Sequence, residues 1–475
     1  MHLPISLQDI ALSLSHKVCF EGFSAQIHYG SRIGIIGQNG SGKSTLLKML
    51  LNEATPSAGL IKLPHNIDIG YVPQLIDNED TLSGAQRFNQ ALTKALSMSP
   101  QVLMLDEPTN HLDMANRQSL MRMLKHFQGT VIMASHDVTL LQHCVDELWL
   151  IDNGKITACK GKYEDLMHEI ALKRTAIERT LLILNRQKKD MHQALMKEQI
   201  RAANSRAKGE KSIANRKWPT IVSDAKANRA STTASKKRLS ITTKKEDLLT
   251  QMASLRLPEI ICPTFSFTAH EVGERNLLSI RDANLGYCDK IVLQNVSLSV
   301  AGNEKVAIMG DNGSGKSTLV KAIMNHVAIS KTGDWHCPKS EDIGYLDQHY
   351  LTLNPNKTVL QTIHDLVPSW HQTQIRLHLQ DFLFKKNEEV NAFVKTLSGG
   401  EKARLALAQI AAKTPKLLIL DEVSNNLDLT TQAHVIQVLQ AYPAAMIVIS
   451  HDQHFLSQIN ITQVYELEKG LLIRK

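Results

Sequence analysis

The chain carries one phosphate-binding signature twice, and that repeat limits its possible folds more than any other feature. "GQNGSGKS" at Gly37–Ser44 and "GDNGSGKS" at Gly310–Ser317 each follow an apolar run, "RIGIIG" and "KVAIMG". A strand leading through a glycine-rich turn into a helix lets backbone N–H groups converge where the helix dipole also favours an anion. The residues so placed are Gly37, Asn39, Gly40, Ser41, Gly42, Lys43, Ser44 and Thr45, and again Gly310, Asn312, Gly313, Ser314, Gly315, Lys316, Ser317 and Thr318. In this motif Lys43 and Lys316 are placed to reach β- and γ-phosphates, and Ser44 and Ser317 to ligate Mg2+.

The repeat continues beyond the loops. "LSGAQ" matches "LSGGE", "VLMLDEPTNHLD" matches "LLILDEVSNNLD", and "VIMASHD" matches "IVISHD", all at an offset of 315, whereas Gly37 and Gly310 lie 273 apart. Most of the difference falls in one place: Gln74 precedes Ser83 by 9 positions, but Gln348 precedes Ser398 by 50. Short, continuously apolar runs between helical stretches suit strands buried on both faces of a parallel sheet, so each copy reads as an α/β core.

The partners that follow the loops supply hydrolytic chemistry. Asp106 and Asp421 end apolar strands, where a carboxylate can hold the magnesium ion, and Gln74 and Gln348 are further metal or water contacts. Glu107 and Glu422 come next, as general bases for an attacking water, and His136 and His451 in "SHD" can touch the γ-phosphate and that water.

Between the copies lies a different element. Ile170, Ile177, Leu184 and Met191 recur every seven residues, and Ile241, Leu248 and Leu255 repeat the period on the far side, as in two helices of an antiparallel coiled coil. Arg186 to Lys245 contains 17 Lys/Arg against 4 Asp/Glu, a local +13 in a chain of net charge +8, so the remainder is net acidic. One strongly basic element on an acidic protein points to a polyanionic partner. RNA-contact candidates at its tip are Arg201, Arg206, Lys208, Lys211, Arg216, Lys217, Trp218, Lys226, Arg229, Lys236 and Lys237. Trp218 has two readings, stacking on an exposed base or packing the turn with Pro219.

The six cysteines are scattered with no C-x-x-C pair, and no apolar run approaches the roughly 20 residues of a membrane span. The N-terminus has no basic segment ahead of an apolar one, so a secretory signal is not expected and a reducing cytoplasm fits best.

Phosphate loop, glutamine, "LSGG", "LILDE" and "SHD" in this order resemble the ATP-binding cassette superfamily, whose "LSGG" turn completes the nucleotide site of the opposite cassette. That resemblance implies a first site with Ser398, Gly399 and Gly400 facing Lys43, and a second with Ser83, Gly84 and Ala85 facing Lys316. It also places Tyr287 as an aromatic on adenine, with Leu14 at that position in the first copy. Ala85 for the second glycine, and "DEVSNNLD" for "DEPTNHLD", are departures that admit two readings, harmless drift or unequal sites.

Two cassettes joined by a basic hairpin resemble the ABC-F family of translation factors across essentially the whole chain. The implied architecture is α/β: tandem P-loop NTPase cassettes over residues 1–160, with the helical subdomain nearly absent, and 257–475, joined by a helical hairpin over 161–256. The resemblance implies a monomer closing on two ATP with Mg2+. It further implies binding at the ribosomal E site, with the hairpin reaching P-site tRNA and rRNA of the peptidyl-transferase centre. No DNA partner is expected. Absence of an arm in the first cassette and of a C-terminal tail makes the chain similar to the antibiotic-resistance branch; a housekeeping factor and a transporter's ATPase subunit are the alternatives.

Overall fold

The computed structural model describes residues 2–14, 17–74, 83–110, 112–214, 239–251, 261, 263, 265, 276–287, 290–347, 350–423 and 427–475. They divide into two compact units, Met1–Glu164 with Ile260–Lys475, and Asp165–Glu259.

In the first unit the repeat folds twice into the same pair of sheets. The first copy has a six-stranded sheet in the order Ile69–Val72, Val102–Asp106, Thr130–Ala134, Arg32–Gly37, Glu147–Asp152 and Lys155–Lys160, parallel but for the last strand. The second has the order Ile343–Asp347, Leu417–Asp421, Ala445–Ile449, Lys305–Gly310, Gln463–Glu468 and Leu471–Arg474. Continuously apolar "VLMLD" and "TVIMA" are buried at every position, as expected of strands covered on both faces. Parallel strands share one carboxyl edge, so the phosphate loop, Asp106 and the residues after Ala134 all emerge on the same side.

A smaller antiparallel sheet covers each parallel sheet, and the sequence reading had not separated it. It comprises Lys17–Ile27, Ile5–Leu14 and Ala58–Lys62 in the first copy, and in its counterpart Asn276–Tyr287 pairs with Lys290–Ala301 on one side and with the short strands Ser330–Lys331 and Asp334–His336 on the other. Between the two sheets lies the helix Lys43–Leu50, whose Leu46, Leu47 and Leu50 are fully buried against Ile10, Phe20, Ile33 and Met104. Each such aliphatic side chain contributes about 1.5–3 kcal/mol, so the phosphate loop is anchored at both ends.

Arg32 tethers the helix Met114–His126 to this core by donating to the carbonyls of Leu124, Lys125 and Phe127 at the helix C-terminus. Lys305, its equivalent in the second copy, donates to Leu439 and Gln440 at the end of Leu429–Ala441. A cation there satisfies carbonyls left over at the helix end and complements the dipole. Arg32→Ala is expected to lower unfolding stability by about 2 kcal/mol, read as a shifted midpoint in chemical denaturation.

The two copies differ where the sequence gap lies. Between Tyr350 and Ser398 the second copy builds short helices at Val359–His364, Gln372–Asp381 and Asn387–Asn391, packed on the helix Gly399–Lys413. The first copy passes from Gln74 to the helix Gly84–Ser97, residues 75–82 lying outside the described set. Leu405, Ala408 and Ala412, buried in the second copy, are replaced by Gln90, Thr93 and Ser97, all exposed. The shortened copy has therefore exchanged an apolar helix face for a polar one.

The helix Tyr163–Ala214, which belongs to the second unit from Asp165 onward, runs for 52 residues, about 78 Å at 1.5 Å per residue. Along it Ile170, Ile177, Leu181, Leu184, Met191 and Leu195 are less exposed than their neighbours, and Ile241 and Leu248 repeat this on a helix over 239–251. Leu255 lies outside the described residues. No helix among the described residues is long and apolar enough to cross a membrane.

Candidate functional site

Each phosphate loop enters its helix through a glycine whose conformation a side chain would oppose. Gly42 and Gly315 have φ of +99° and +106°, and a Cβ would stand 2.7 Å from Leu12 and 2.6 Å from Leu293. Lys43 is buried and donates to the carbonyls of Gly37 at 2.8 Å and Gln38 at 3.3 Å. Lys316 does the same to Gly310 at 2.6 Å and Asp311 at 2.9 Å. Burial lowers both ammonium pKa values against the pull of nearby carboxylates, Glu107, Asp428 and Asp106 for Lys43. Thr45 and Thr318 occupy the first turn of each helix.

Beyond the loop Asp106 closes its strand, and burial raises its carboxyl above the usual range against a hydrogen bond from Ser44. Glu107 follows with φ +49°, and Glu422 repeats this at +52°. Their backbone N–H groups donate to Ala134 at 2.8 Å and Ile449 at 2.9 Å, which locks both glutamates in the left-handed region. Such strain costs about 1–3 kcal/mol for a non-glycine residue and concentrates at functional sites.

The two carboxylates differ in environment. Glu107 Oε2 accepts the His136 backbone N–H at 3.3 Å, while Oε1 lies 3.3 Å from His136 Nε2 without a hydrogen bond between them. Burial drives Glu107 up to about 7 despite Lys43, and drives His136 down to about 3. Glu422, 3.5 Å from His451 Nε2, is held below its usual range by His451, with Lys316 and Arg117 adding to the effect against burial. Asp421 is raised by burial and by Glu422, and accepts from the Tyr345 hydroxyl at 3.3 Å.

The signature turns are helix caps in both copies. The Ser83 hydroxyl accepts from Gln86 N–H at 3.3 Å while the Ser83 N–H donates to Gln86 Oε1 at 2.9 Å, and Ser398 forms the same box with Glu401. The helix dipole at Gly84 and Gly399 thus points its positive end out of each turn. At Gly400 an added Cβ would lie 2.7 Å from Thr431 Oγ1. Asn116 stands at the sequence position matching Thr431, and its amide is bonded to Asp113 at 2.8 Å. Tyr287 ends its strand 37% exposed, and Leu14 ends the matching strand. Gln74 is exposed just past its strand.

Two contributors escaped the sequence reading. Asp428, last residue of "DEVSNNLD", caps Leu429–Ala441 and accepts the Asn39 backbone N–H at 3.2 Å, so it reaches the phosphate loop of the other cassette. Asp113, last residue of "DEPTNHLD", caps Met114–His126, and its charge acts on Lys316. The signal was visible as the "LD" that ends both strings, but spacing along a chain does not reveal contact across a pseudo-dyad.

Among the RNA candidates, Arg201 is exposed on the helix Tyr163–Ala214, which also contains Arg206, Lys208 and Lys211. Arg216, Lys217, Trp218, Lys226, Arg229, Lys236 and Lys237 lie outside the described residues, as does Gln348.

The residues present fit a magnesium nucleotide. Ser41 Oγ, Ser314 Oγ and Asp106 Oδ1 are buried without a hydrogen-bond partner among the described residues, and phosphate oxygens or metal-bound water would satisfy them. Magnesium takes few protein ligands beside phosphates and water, which the Ser44–Asp106 pair meets.

Comparison with known proteins agrees with this geometry. A family model described as ABC transporter matches residues 20–75 and 293–425, and an AAA domain model matches 70–142. The chain is 29% identical to ATP-binding protein Uup of Buchnera aphidicola subsp. Acyrthosiphon pisum (strain APS), covering 95% of this chain and 78% of that protein. It is 28% identical to Ribosome protection protein VmlR of Bacillus subtilis (strain 168), covering 98% and 87%. The solved structure of an RNase-L Inhibitor shares the fold, with a TM-score of 0.61 and 16% identity over 98% of this chain and 89% of that one. With two ATPase cassettes in one polypeptide, the chain is similar to these relatives along nearly its whole length and resembles the ABC-F family of ATP-binding cassette proteins.

Proposed function

We propose that this ATPase binds the ribosome at the E site in its ATP-closed state, where its basic hairpin acts on P-site tRNA and the peptidyl-transferase centre to protect against antibiotics. The observation that carries the reading is the Asp428–Asn39 contact, which ties one nucleotide loop to the other cassette within a chain that also bears a segment of local charge +13.

In this reading Lys43 and Lys316 hold the β- and γ-phosphates, and Ser44 with Asp106 and Ser317 with Asp421 bind magnesium, joined by Gln74 and Gln348. Magnesium, when bound, neutralises charge on the phosphates. Glu107 and Glu422 align the attacking water and accept its proton, with His136 and His451 fixing its position. Ser83 and Gly84, and Ser398 with Gly399 and Gly400, present helix N-termini to the opposite nucleotide, and Tyr287 stacks on adenine. The +13 element exchanges counterions on RNA phosphates, which gives salt-dependent affinity with little sequence reading. The protein works in the cytoplasm as a monomer.

Against a transporter subunit stand the polar Gln90, Thr93 and Ser97 on the helix of the shortened cassette, a poor surface for docking on a membrane domain. Expression in a drug-sensitive bacterium is expected to raise resistance to at least one class among macrolides, lincosamides, streptogramins, pleuromutilins and phenicols. No change with any of them favours a housekeeping translation factor. Stimulation of the ATPase by DNA but not by ribosomes overturns the ribosomal reading.

A further inference from the structure

The residue after each cross-cassette turn differs between the copies. Four positions beyond Asp113 stands Arg117, and four beyond Asp428 stands Gln432. Arg117 is nearly buried, its side chain 16% exposed. Its Nε donates to Leu112 O at 3.0 Å, inside the turn that carries Asp113, and its Nη1 lies 3.4 Å from Asp137 Oδ2 in "SHD". The guanidinium also lines a cleft with His451, Asp452 and Gln453 of the second cassette. Gln432 instead donates to Asp452 at 3.0 Å and carries no charge.

We propose that Arg117 is a positioning residue of the second ATP site supplied by the first cassette, holding the Leu112–Asp113 turn toward Lys316 and placing a fixed cation beside Glu422 and His451. Among the described groups acting on Glu422 are His451, Lys316, Asp421 and, from the other cassette, Arg117. The first site has the neutral Gln432 at the corresponding position, so the two sites are unequal in what the opposite cassette lends them. A fixed guanidinium costs no reorganisation at the moment of reaction, and its two-point hold on Leu112 and Asp137 keeps it from folding back into solvent. Its contribution exists only when the cassettes are closed, which makes turnover at the second site conditional on closure.

The inference rests on the glutamates acting as the bases of the two sites, and the test separates the two ideas. In a Glu107→Gln background only the second site turns over, and in Glu422→Gln only the first. Adding Arg117→Gln to Glu107→Gln is expected to lower kcat about tenfold with KM for ATP nearly unchanged. Arg117→Lys is expected to restore part of that loss, since charge returns without the planar fork. Adding Arg117→Gln to Glu422→Gln is expected to leave turnover within twofold. An equal fall in both backgrounds, a rise in KM alone, or no fall in the Glu107→Gln background overturns the proposal. Full turnover by the Glu107→Gln/Glu422→Gln double variant overturns instead the assignment of the glutamates, whatever Arg117 does.

Discussion

Converting Glu107 and Glu422 together to glutamine is expected to lower ATP turnover by about 10²–10⁴-fold while leaving ATP binding intact. Glutamine keeps the shape and removes only the capacity to accept a proton. The fold should tolerate the change well. Burial already pushes Glu107 up to about 7, so a neutral side chain there removes a desolvation cost and retains an oxygen to accept the His136 N–H. The strained backbone at both positions is fixed by bonds to Ala134 and Ile449 that do not involve the side chain. Steady-state phosphate release measures the loss, and equilibrium binding of a labelled nucleotide checks that affinity is retained. Turnover within tenfold of wild type would show that neither glutamate is the base.

The second large effect concerns the hairpin. Replacing Arg201, Arg206, Lys208, Lys211, Arg216 and Lys217 by glutamine is expected to weaken ribosome binding by about 10³-fold or more at low salt. The dependence of log K on log salt should flatten by about four to five if all six meet phosphates of unpaired strands or loops. ATP turnover without ribosomes should not change, because these residues lie in the basic segment between the cassettes and outside the nucleotide motifs. An unchanged salt slope would mean that the charge run is a solvated helix face.

Much of the fold was legible because the chain states it twice. The glycine loops, the apolar runs and the Asp-Glu pairs recur in order, and a buried parallel sheet with a phosphate loop accounts for all of them. The heptad spacing of Ile170, Ile177, Leu184 and Met191 likewise marks one face of a real helix. The covering antiparallel sheet was harder to see, since Ile5–Leu14 and Lys17–Ile27 contain shifted pairings that break a clean alternation of apolar and polar residues. The resemblance assigns Ser83 and Ser398 to the opposite nucleotide sites, and their second task as helix caps is visible only in the backbone geometry. Asp113, Asp428 and Arg117 were missed for one shared reason: they act in the opposite cassette, and a one-dimensional pattern carries no record of which surface meets which. The short tether between Gln74 and Ser83 is matched by polar residues along the helix that follows, so the gap reads as an adapted feature of the first cassette.

The central claim is that ATP-closed cassettes hold this protein on the ribosome and hydrolysis releases it. Sedimentation of the Glu107→Gln/Glu422→Gln variant with 70S ribosomes tests it directly. With ATP the variant should pellet with the ribosomes and resist moderate salt, whereas wild-type protein should remain largely in the supernatant after turnover. A double variant that binds ATP yet stays free of ribosomes would contradict the account.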